Sequence, residues 1–267
     1  MSSDPSMKGR TEFLACPLCG SKGMQGFARG DCSRHSLYQD VISPTIVWQK
    51  CSSCGHIFTE GYFTAEAQQA IFSKTSDNQT LGVDVERQRY VSARMVEQVL
   101  PYADEGIWLD VGFGNGSLLF TAQEYGFTPV GIDLRQGNVD RLKAVGIEAH
   151  CVDISQLQMD RLCRVISMAD VLEHMPFPGI GLEAAKRLTA SGGILLISMP
   201  NIESIVWTAM DTSGANPYWG ELEHYHNFGK ARLYSLLREY GFKPIRYGIS
   251  ERYRACMQVI ARNADQH

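Results

Sequence analysis

From residue 107 onward, short apolar runs recur along the chain, and polar stretches long enough to form helices separate them. In chain order the runs are IWLDV, PVGID, EAHCVDI, RVISMAD and GGILLISM. Runs of this length that alternate with helices predict an α/β fold with a parallel sheet. A predicted helix from Lys230 to Tyr240 is followed by KPIRYG and RYRACMQVIAR, which predict an antiparallel hairpin at the sheet edge. The pattern therefore predicts a seven-stranded, mostly parallel sheet.

An amphipathic helix precedes this alternating region, between Val85 and Leu100. Its apolar positions at helical intervals are Tyr90, Met95, Val96 and Val99. Because Pro101 cannot continue a helix, we expect the helix to end just before it. Its apolar face is suited to packing on the α/β core.

The pattern changes near Gly106, and this change predicts the domain organisation. We predict a small module with a disordered N-terminal tail over residues 1–60, a linker and helical lead-in over 61–105, and the α/β domain over 106–267. The polar, aromatic segment at about 201–229 interrupts the alternation, and we expect it to form an insert that caps a substrate site.

Composition and charge narrow the classes of protein. A chain with 44% hydrophobic and 20% charged residues is typical of folded globular proteins. The net charge of −4 provides no general basic field, which disfavours nucleic acid as a partner. No apolar run approaches the roughly 20 residues of a transmembrane helix, and the N-terminus lacks the apolar core of a signal peptide. We therefore expect a cytoplasmic protein with no membrane partner.

Four of the eight cysteines form two C-x-x-C pairs, and a glycine follows each pair. This spacing predicts a tetrahedral, structural zinc site. The segment 20–50 must then form a hairpin or loop that brings the pairs together. A redox dithiol is the alternative, but that motif usually occurs as a single pair. His35 and Cys32 are alternative ligands, and His56 lies close in sequence. The predicted zinc ligands are Cys16, Cys19, Cys51 and Cys54.

A glycine-rich turn follows the first strand of the α/β region, with Gly112, Gly114 and Gly116 placed before an apolar helix start. Glycines at such a turn let a ligand approach the backbone closely, and a helix N-terminus favours negative charge. The dinucleotide fingerprint G-x-G-x-x-G would require a glycine at Ser117. The spacing therefore disfavours a nicotinamide-dependent dehydrogenase.

An aspartate stands at or near the end of each of the first four predicted parallel strands. Because the carboxyl ends of parallel strands meet at one edge of a sheet, these side chains are expected to line one crevice. Asp133 is placed to accept hydrogen bonds from the two hydroxyls of a ribose. Any one such aspartate is more often a helix cap, but the ordered recurrence favours a ligand site. The four are Asp110, Asp133, Asp153 and Asp170.

The motifs LDVGFGNG, GID, VDI, ADVLEH and GGILLISMPN occur in the order found in class I methyltransferases, which the stretch from Ile107 to Asn201 resembles. The later run Glu223-His-Tyr-His-Asn-Phe228 resembles saccharide and other small-molecule methyltransferases, many of which begin with a C-x-x-C…C-x-x-C module. This resemblance implies a Rossmann-like domain, S-adenosylmethionine as the methyl donor, and a small-molecule acceptor such as a sugar or a natural-product intermediate.

The resemblance also implies roles for individual residues. Asp110 is expected near the ammonium group of the donor, Asp133 at the ribose, and Asp153 at the adenine edge. The glycines shape the methionine pocket, and Ala169 with Asp170 closes it near the sulfonium. The implied cofactor-binding residues are Asp110, Gly112, Gly114, Gly116, Asp133, Leu134, Asp153, Ile154, Ala169 and Asp170.

A hydroxyl acceptor benefits from a general base, and the sequence offers His224, His226, His174 and Glu173 as candidates. His224 and His226 rank first because they lie in the aromatic insert. A histidine beside aromatic residues is equally compatible with a structural role, and the insert is compatible with a homodimer contact. Two other functions stay open: an RNA methyltransferase whose zinc module reads RNA, and a non-catalytic protein that binds S-adenosylmethionine.

Overall fold

The computed structural model describes residues 7–72, 79–253 and 255–264. The predicted disordered tail at the N-terminus lies mostly outside these residues. The chain forms two compact units. The first contains the described residues of Met1–Ser76 together with Glu173–Pro178 and Asn201–Leu233, and the second contains the rest. None of the helices in the described ranges is long and apolar enough to cross a membrane.

Strands account for much of both units. In chain order they are β1 (Arg10–Glu12), β2 (Met24–Asp31), β3 (Thr45–Cys51), β4 (Ile57–Thr59), β5 (Gly61–Phe63), β6 (Gly106–Val111), β7 (Phe127–Ile132), β8 (Glu148–His150), β9 (Cys163–Ala169), β10 (Thr189–Pro200), β11 (His226–Asn227), β12 (Phe242–Ile249) and β13 (Cys256–Asn263). The helices are α1 (Ala65–Phe72), α2 (Val85–Val99), α3 (Ser117–Glu124), α4 (Gln136–Ala144), α5 (Pro178–Leu188), α6 (Ile205–Thr212) and α7 (Lys230–Glu239).

The second unit is built on a seven-stranded sheet of order β12-β13-β10-β9-β6-β7-β8. The neighbours from β10 to β8 pair in parallel, whereas β13 is antiparallel to both β10 and β12. This confirms the predicted Rossmann-like sheet with its antiparallel edge hairpin. The strand order reverses between β6 and β9, and in such sheets ligands bind outside the carboxyl ends of the strands at that point.

Helices flanking the sheet explain why its central strands are apolar almost throughout. Every residue of β9 except Arg164 is buried, as is expected for a parallel strand covered on both faces. The predicted amphipathic helix is confirmed as α2, which buries Met95, Val96 and Val99. Tyr90 was wrongly placed on that face, since its side chain is 70% exposed. A helix turns about 100° per residue, so Tyr90 lies roughly opposite Ser92 in the buried stripe.

The first unit contains a four-stranded antiparallel sheet of order β11-β4-β3-β2 and the separate pair β1-β5. The hairpin of β2 and β3 spans the gap between the cysteine pairs, as predicted, with Met24 opposite Cys51. Strand β11 comes from the segment that the sequence assigned to the α/β domain, but it pairs with β4 of the N-terminal region. The capping role predicted for this segment stays a prediction.

Candidate functional site

The glycine-rich turn joins the end of β6 to the start of α3. Its three glycines adopt left-handed backbone conformations, with φ of 66° at Gly112, 53° at Gly114 and 80° at Gly116. Residues with a Cβ rarely adopt these angles, so the turn depends on glycine at each position. The turn brings bare backbone to the carboxyl end of β6, immediately before the free amide groups at the N-terminus of α3.

Asp110 lies near the end of β6 and is almost fully buried. Its Oδ1 accepts a hydrogen bond from Ser167 Oγ at 2.6 Å, and Ser167 Oγ accepts one from Trp108 Nε1 at 2.8 Å. Burial raises the pKa of Asp110 to about 7, although Ser167 and the nearby Arg252 act to lower it. The carboxyl group is thus oriented by the buried hydrogen bonds from Trp108 through Ser167, and its pKa is close to neutral pH.

Asp133 follows β7 directly and is also buried. The backbone N–H of Arg135 donates to its Oδ1 at 2.8 Å. Among the described residues, Oδ2 receives no well-formed hydrogen bond. Burial raises the pKa of this carboxyl, while Arg135 and neighbouring backbone amides oppose the increase. A buried carboxylate oxygen without a donor is suited to a ligand that brings hydroxyl groups.

The expected adenine residues lie after β8. Asp153 caps a short 3-10 helix, Ile154–Gln156, where its Oδ1 accepts a hydrogen bond from the Ser155 amide at 2.8 Å. Ile154 is buried, whereas Leu134, which follows Asp133, is 54% exposed. Asp153 is therefore a helix cap in this structure. Its Oδ1 serves the cap, and its other carboxylate oxygen can accept a hydrogen bond from a ligand.

Ala169 and Asp170 end β9 at the same edge of the sheet. Asp170 has φ of 58°, a left-handed conformation that is uncommon for a residue other than glycine. Its Oδ1 accepts a hydrogen bond from Ser198 Oγ at 2.9 Å, and Arg252 Nε lies 3.2 Å from Oδ2. Backbone strain held in place by such contacts is typical of functional sites.

The four predicted zinc ligands come together in the first unit. Cys16 Sγ lies 3.7 Å from Cys54 Sγ, and Cys19 Sγ lies 3.6 Å from Cys51 Sγ. All four sulfur atoms lie within 4.8 Å of one another. Four sulfurs bound to zinc at about 2.3 Å in a tetrahedron stand about 3.8 Å apart, so the donor set fits this ion. The glycines that follow the pairs, Gly20 and Gly55, have φ near 70°, as the tight turns require.

The alternative zinc ligands are engaged elsewhere. His35 Nε2 pairs with Glu221 at 2.8 Å, and Cys32 Sγ donates to the Pro44 carbonyl at 3.2 Å. His56 is fully buried close to Cys54, and its side chain is bonded to His226. The structure therefore groups only the two C-x-x-C pairs among the cysteines that it describes.

His226 is fully buried and uses both ring nitrogens. Its Nε2 donates to the carbonyls of Met175 at 2.9 Å and Pro176 at 3.3 Å, and its Nδ1 lies 2.9 Å from His56 Nε2. Burial lowers its pKa to about 4. These contacts favour a structural role for His226 over the predicted role of general base.

His224 and His174 lie side by side in the first unit, with ring centroids 4.7 Å apart. His174 Nδ1 donates to the Glu223 carbonyl at 3.0 Å. His224 is 7% exposed, and its Nδ1 is buried without a hydrogen-bond partner among the described residues. Ligand atoms of His174, His224 and Glu173 lie within 4.8 Å of one another. Burial lowers the pKa of His224 to about 3, and the neighbouring His174 lowers it further.

Several residues at the site were missed by sequence reasoning. Ser167 is a polar residue inside the apolar run RVISMAD, which is a usable signal for a buried hydrogen bond. Arg252 lies in the turn between β12 and β13, where no motif distinguishes it. The pairing of His56 with His226 joins residues 170 positions apart, and only the fold shows it.

Comparisons with known proteins agree with this geometry. A family profile described as a methyltransferase domain matches residues 85–247, which is more than half of the chain. A ubiquinone biosynthesis O-methyltransferase of Nitrosococcus oceani is 34% identical over 104 residues. That alignment covers 35% of this chain and only 43% of the relative.

Solved structures share the fold at low sequence identity. A 1,6-didemethyltoxoflavin-N1-methyltransferase of Burkholderia thailandensis, with bound substrate and S-adenosylhomocysteine, is similar with a TM-score of 0.57 and 18% identity. It covers 79% of this chain and 96% of its own. A magnesium protoporphyrin IX methyltransferase of Synechocystis PCC 6803, with bound S-adenosylhomocysteine, has a TM-score of 0.53 and 17% identity, covering 76% and 90%.

Proposed function

This chain belongs to the class I methyltransferases that use S-adenosylmethionine, and on that premise we propose that it transfers a methyl group to a small-molecule acceptor such as a sugar or a natural-product intermediate. The observation that carries the proposal is the left-handed glycine turn at the end of β6 together with Asp133 Oδ2 just after β7, which accepts no well-formed hydrogen bond from the described residues. A bare backbone turn beside a buried acceptor suits a nucleoside ligand.

The donor supplies an activated methyl group on a sulfonium, so the protein mainly binds and aligns the reactants. Asp133 accepts hydrogen bonds from the ribose hydroxyls. Asp110 offers a negative charge to the ammonium group of the methionine part. Asp153 and Ile154 take the adenine, and Ala169 with Asp170 borders the sulfonium. In each case the side chain or backbone lies at the carboxyl end of a strand or just beyond it.

The names of the similar proteins support a small-molecule acceptor, since they refer to ubiquinone biosynthesis, magnesium protoporphyrin IX and 1,6-didemethyltoxoflavin. The net charge of −4 does not favour RNA. Tritiated S-adenosylmethionine should label a small-molecule fraction of a cell extract when the enzyme is added. Label found in RNA or protein alone would contradict the proposal. Tight donor binding with no labelled fraction at all would favour the non-catalytic alternative.

His224 is the candidate general base. Its low pKa keeps the ring neutral at neutral pH, and in the tautomer that is protonated at Nε2 the unpartnered Nδ1 offers a lone pair. A hydroxyl that donates to Nδ1 is aligned by this bond and transfers its proton as charge develops on the acceptor oxygen. Glu221 raises the pKa of His224 and so favours the imidazolium that results. His174 contacts His224 and is a second candidate.

We also propose that the four cysteines bind one structural zinc ion. Cys51→Ser is expected to lower the zinc content from about one ion per chain to near zero, because three thiolates are a much weaker site. Elemental analysis by mass spectrometry measures this. Cys151→Ser, in the second unit, is the matched control and should retain the zinc. A wild-type content near two would indicate that Glu173, His174 and His224 bind a second ion.

The pKa of Asp110 predicts how donor binding depends on pH. Because burial raises this pKa to about 7, the carboxyl is mostly protonated at pH 6 and mostly ionised at pH 8. Only the ionised form attracts the ammonium group, so affinity for S-adenosylhomocysteine should rise about tenfold over this range as a proton is released. Calorimetry in buffers of different ionisation enthalpy measures both quantities. Ser167→Ala should move the transition to higher pH, since it removes a bond that lowers the pKa.

A further inference from the structure

We infer that His56 and His226 are positioning residues, which couple the second cysteine pair to the segment that carries the candidate base His224. Both side chains are fully buried. Because burying an imidazole without hydrogen bonds is costly, packing alone does not account for histidine at these two positions. The inference rests on the proposed function for its catalytic consequence, but the coupling itself is independent of turnover.

The hydrogen bonds of this pair have a fixed direction. The carbonyls of Met175 and Pro176 can only accept, so His226 Nε2 must carry a proton and donate to them. Burial keeps His226 neutral, which leaves Nδ1 as an acceptor. His56 Nε2 must therefore be protonated and donate to His226 Nδ1, at 2.9 Å. One ordered chain of bonds thus runs from His56 through His226 to the backbone after His174.

His56 is in turn held by the cysteine turn. Its carbonyl accepts from the Cys51 amide at 2.9 Å, and its own amide lies against Cys54 Sγ. Gly55 supplies the left-handed turn between the pair and His56. Cys51 and Cys54, which would hold the ion, both contact the His56 backbone, so an ion bound to the four sulfurs would fix the position of that backbone.

The backbone makes the same connection in parallel. Tyr225 carbonyl accepts from the Thr59 amide at 2.9 Å, and the Tyr225 amide donates to the Glu173 carbonyl at 2.9 Å. Strand β11 pairs with β4 through His226 opposite Phe58. Residue 225 is therefore clamped between β4 and the Glu173 segment, directly beside His224. Because these bonds join β4 to the residues next to His224 and His174, a shift of β4 would move both candidates for the base.

The apolar surroundings of His56 and His226 explain why the hydrogen bond between them favours one register of β11. The centroid of the His56 ring lies 4.8 Å from that of Phe228 and 5.9 Å from that of Phe58, so aromatic rings pack against the imidazole. In an apolar environment a broken hydrogen bond is not replaced, and one register is favoured over its neighbours. The pair thus sets the register of the short strand β11.

The test compares His56→Leu, His56→Gln and the control His150→Gln, which changes a partly exposed histidine of the second unit. Glutamine can donate from its amide to His226 Nδ1 as the imidazole does, whereas leucine cannot. Zinc content is measured first. If His56→Leu loses the ion, it is set aside and the comparison relies on His56→Gln. Hydrogen exchange by mass spectrometry then follows the peptide over residues 221–229, with a β7 peptide as internal reference.

We expect His56→Leu to accelerate exchange in residues 221–229 about tenfold at unchanged zinc content, because it removes one net hydrogen bond that holds the segment. His56→Gln should restore most of the protection. Removing zinc from the wild type with a chelator should accelerate exchange in the same peptide. For turnover, kcat should fall about tenfold in His56→Leu while the KM for the donor stays within about twofold.

Unchanged exchange in His56→Leu and in the chelated protein would overturn the coupling, whether or not the enzyme transfers methyl groups. Faster exchange with unchanged kcat in an active enzyme would overturn the positioning role. Absence of any methyl transfer in the wild type would contradict the proposed function alone, since the exchange experiment needs no acceptor. Recovery by His56→Gln in both measurements is the result that a merely space-filling role would not produce.

Discussion

Asp133→Ala should abolish measurable binding of S-adenosylhomocysteine, with the dissociation constant raised at least about 100-fold. The carboxylate is expected to accept two hydrogen bonds from the ribose, and hydrogen bonds to a charged group contribute about 1.5–3 kcal/mol each. A loss of about 1.4 kcal/mol corresponds to a tenfold change in affinity. Isothermal calorimetry on the zinc-loaded protein measures the constant directly.

The control for this variant is Asp140→Ala, which removes an exposed carboxylate on α4 of the same unit. It should bind S-adenosylhomocysteine as the wild type does. If Asp133→Ala folds normally and binds within about threefold of the wild type, the assignment of the ribose site to the end of β7 is wrong. If the wild type itself shows no binding, the glycine turn is a feature of the fold without a donor site.

His224→Gln should lower kcat by about 100-fold to 10 000-fold with an acceptor that reacts through a hydroxyl group, while donor affinity stays unchanged. Glutamine fills a similar volume but cannot accept the proton. Burst and steady-state kinetics, together with calorimetry, separate the chemical step from binding. The buried Nδ1 without a partner is the structural reason to expect the effect at His224 and not at His226.

His150→Gln again serves as the matched control, since it makes the same change at a partly exposed histidine of the second unit. If the His224→Gln enzyme retains near-wild-type kcat, then either His174 is the general base or the acceptor needs no base. His226→Gln helps to separate these readings, because it should lower stability through lost buried bonds more than it alters the chemical step.

The periodic pattern was sufficient to predict the sheet of the second unit. Alternating apolar runs separated by helices constrain a parallel sheet strongly, because each strand is buried on both faces. The two C-x-x-C pairs likewise predicted a local geometry, since ligand spacing within a turn is set by the backbone. In both cases the information lies within a few residues of chain.

The parts that could not be predicted depend on contacts between distant residues. Nothing near His226 indicates that it pairs with His56, and nothing near Asn227 indicates that it faces Ile57 in a sheet. Strand β11 is only two residues long, too short for any periodicity to register. The histidine roles were ambiguous for the same reason: whether a ring nitrogen is free depends on partners supplied by other segments.

The pairing of β11 with β4 determines the order in which the chain can fold. The N-terminal unit gains its last strand and the segment 201–233 only after most of the sheet of the second unit has been synthesised. During translation the proposed zinc site can form early, but β4 then presents an unpaired edge until about residue 227 emerges. An N-terminal fragment cut at residue 60 would keep that edge exposed. Expression of the isolated module should therefore yield a zinc-binding but aggregation-prone fragment, whereas the full chain covers the edge with its own later residues.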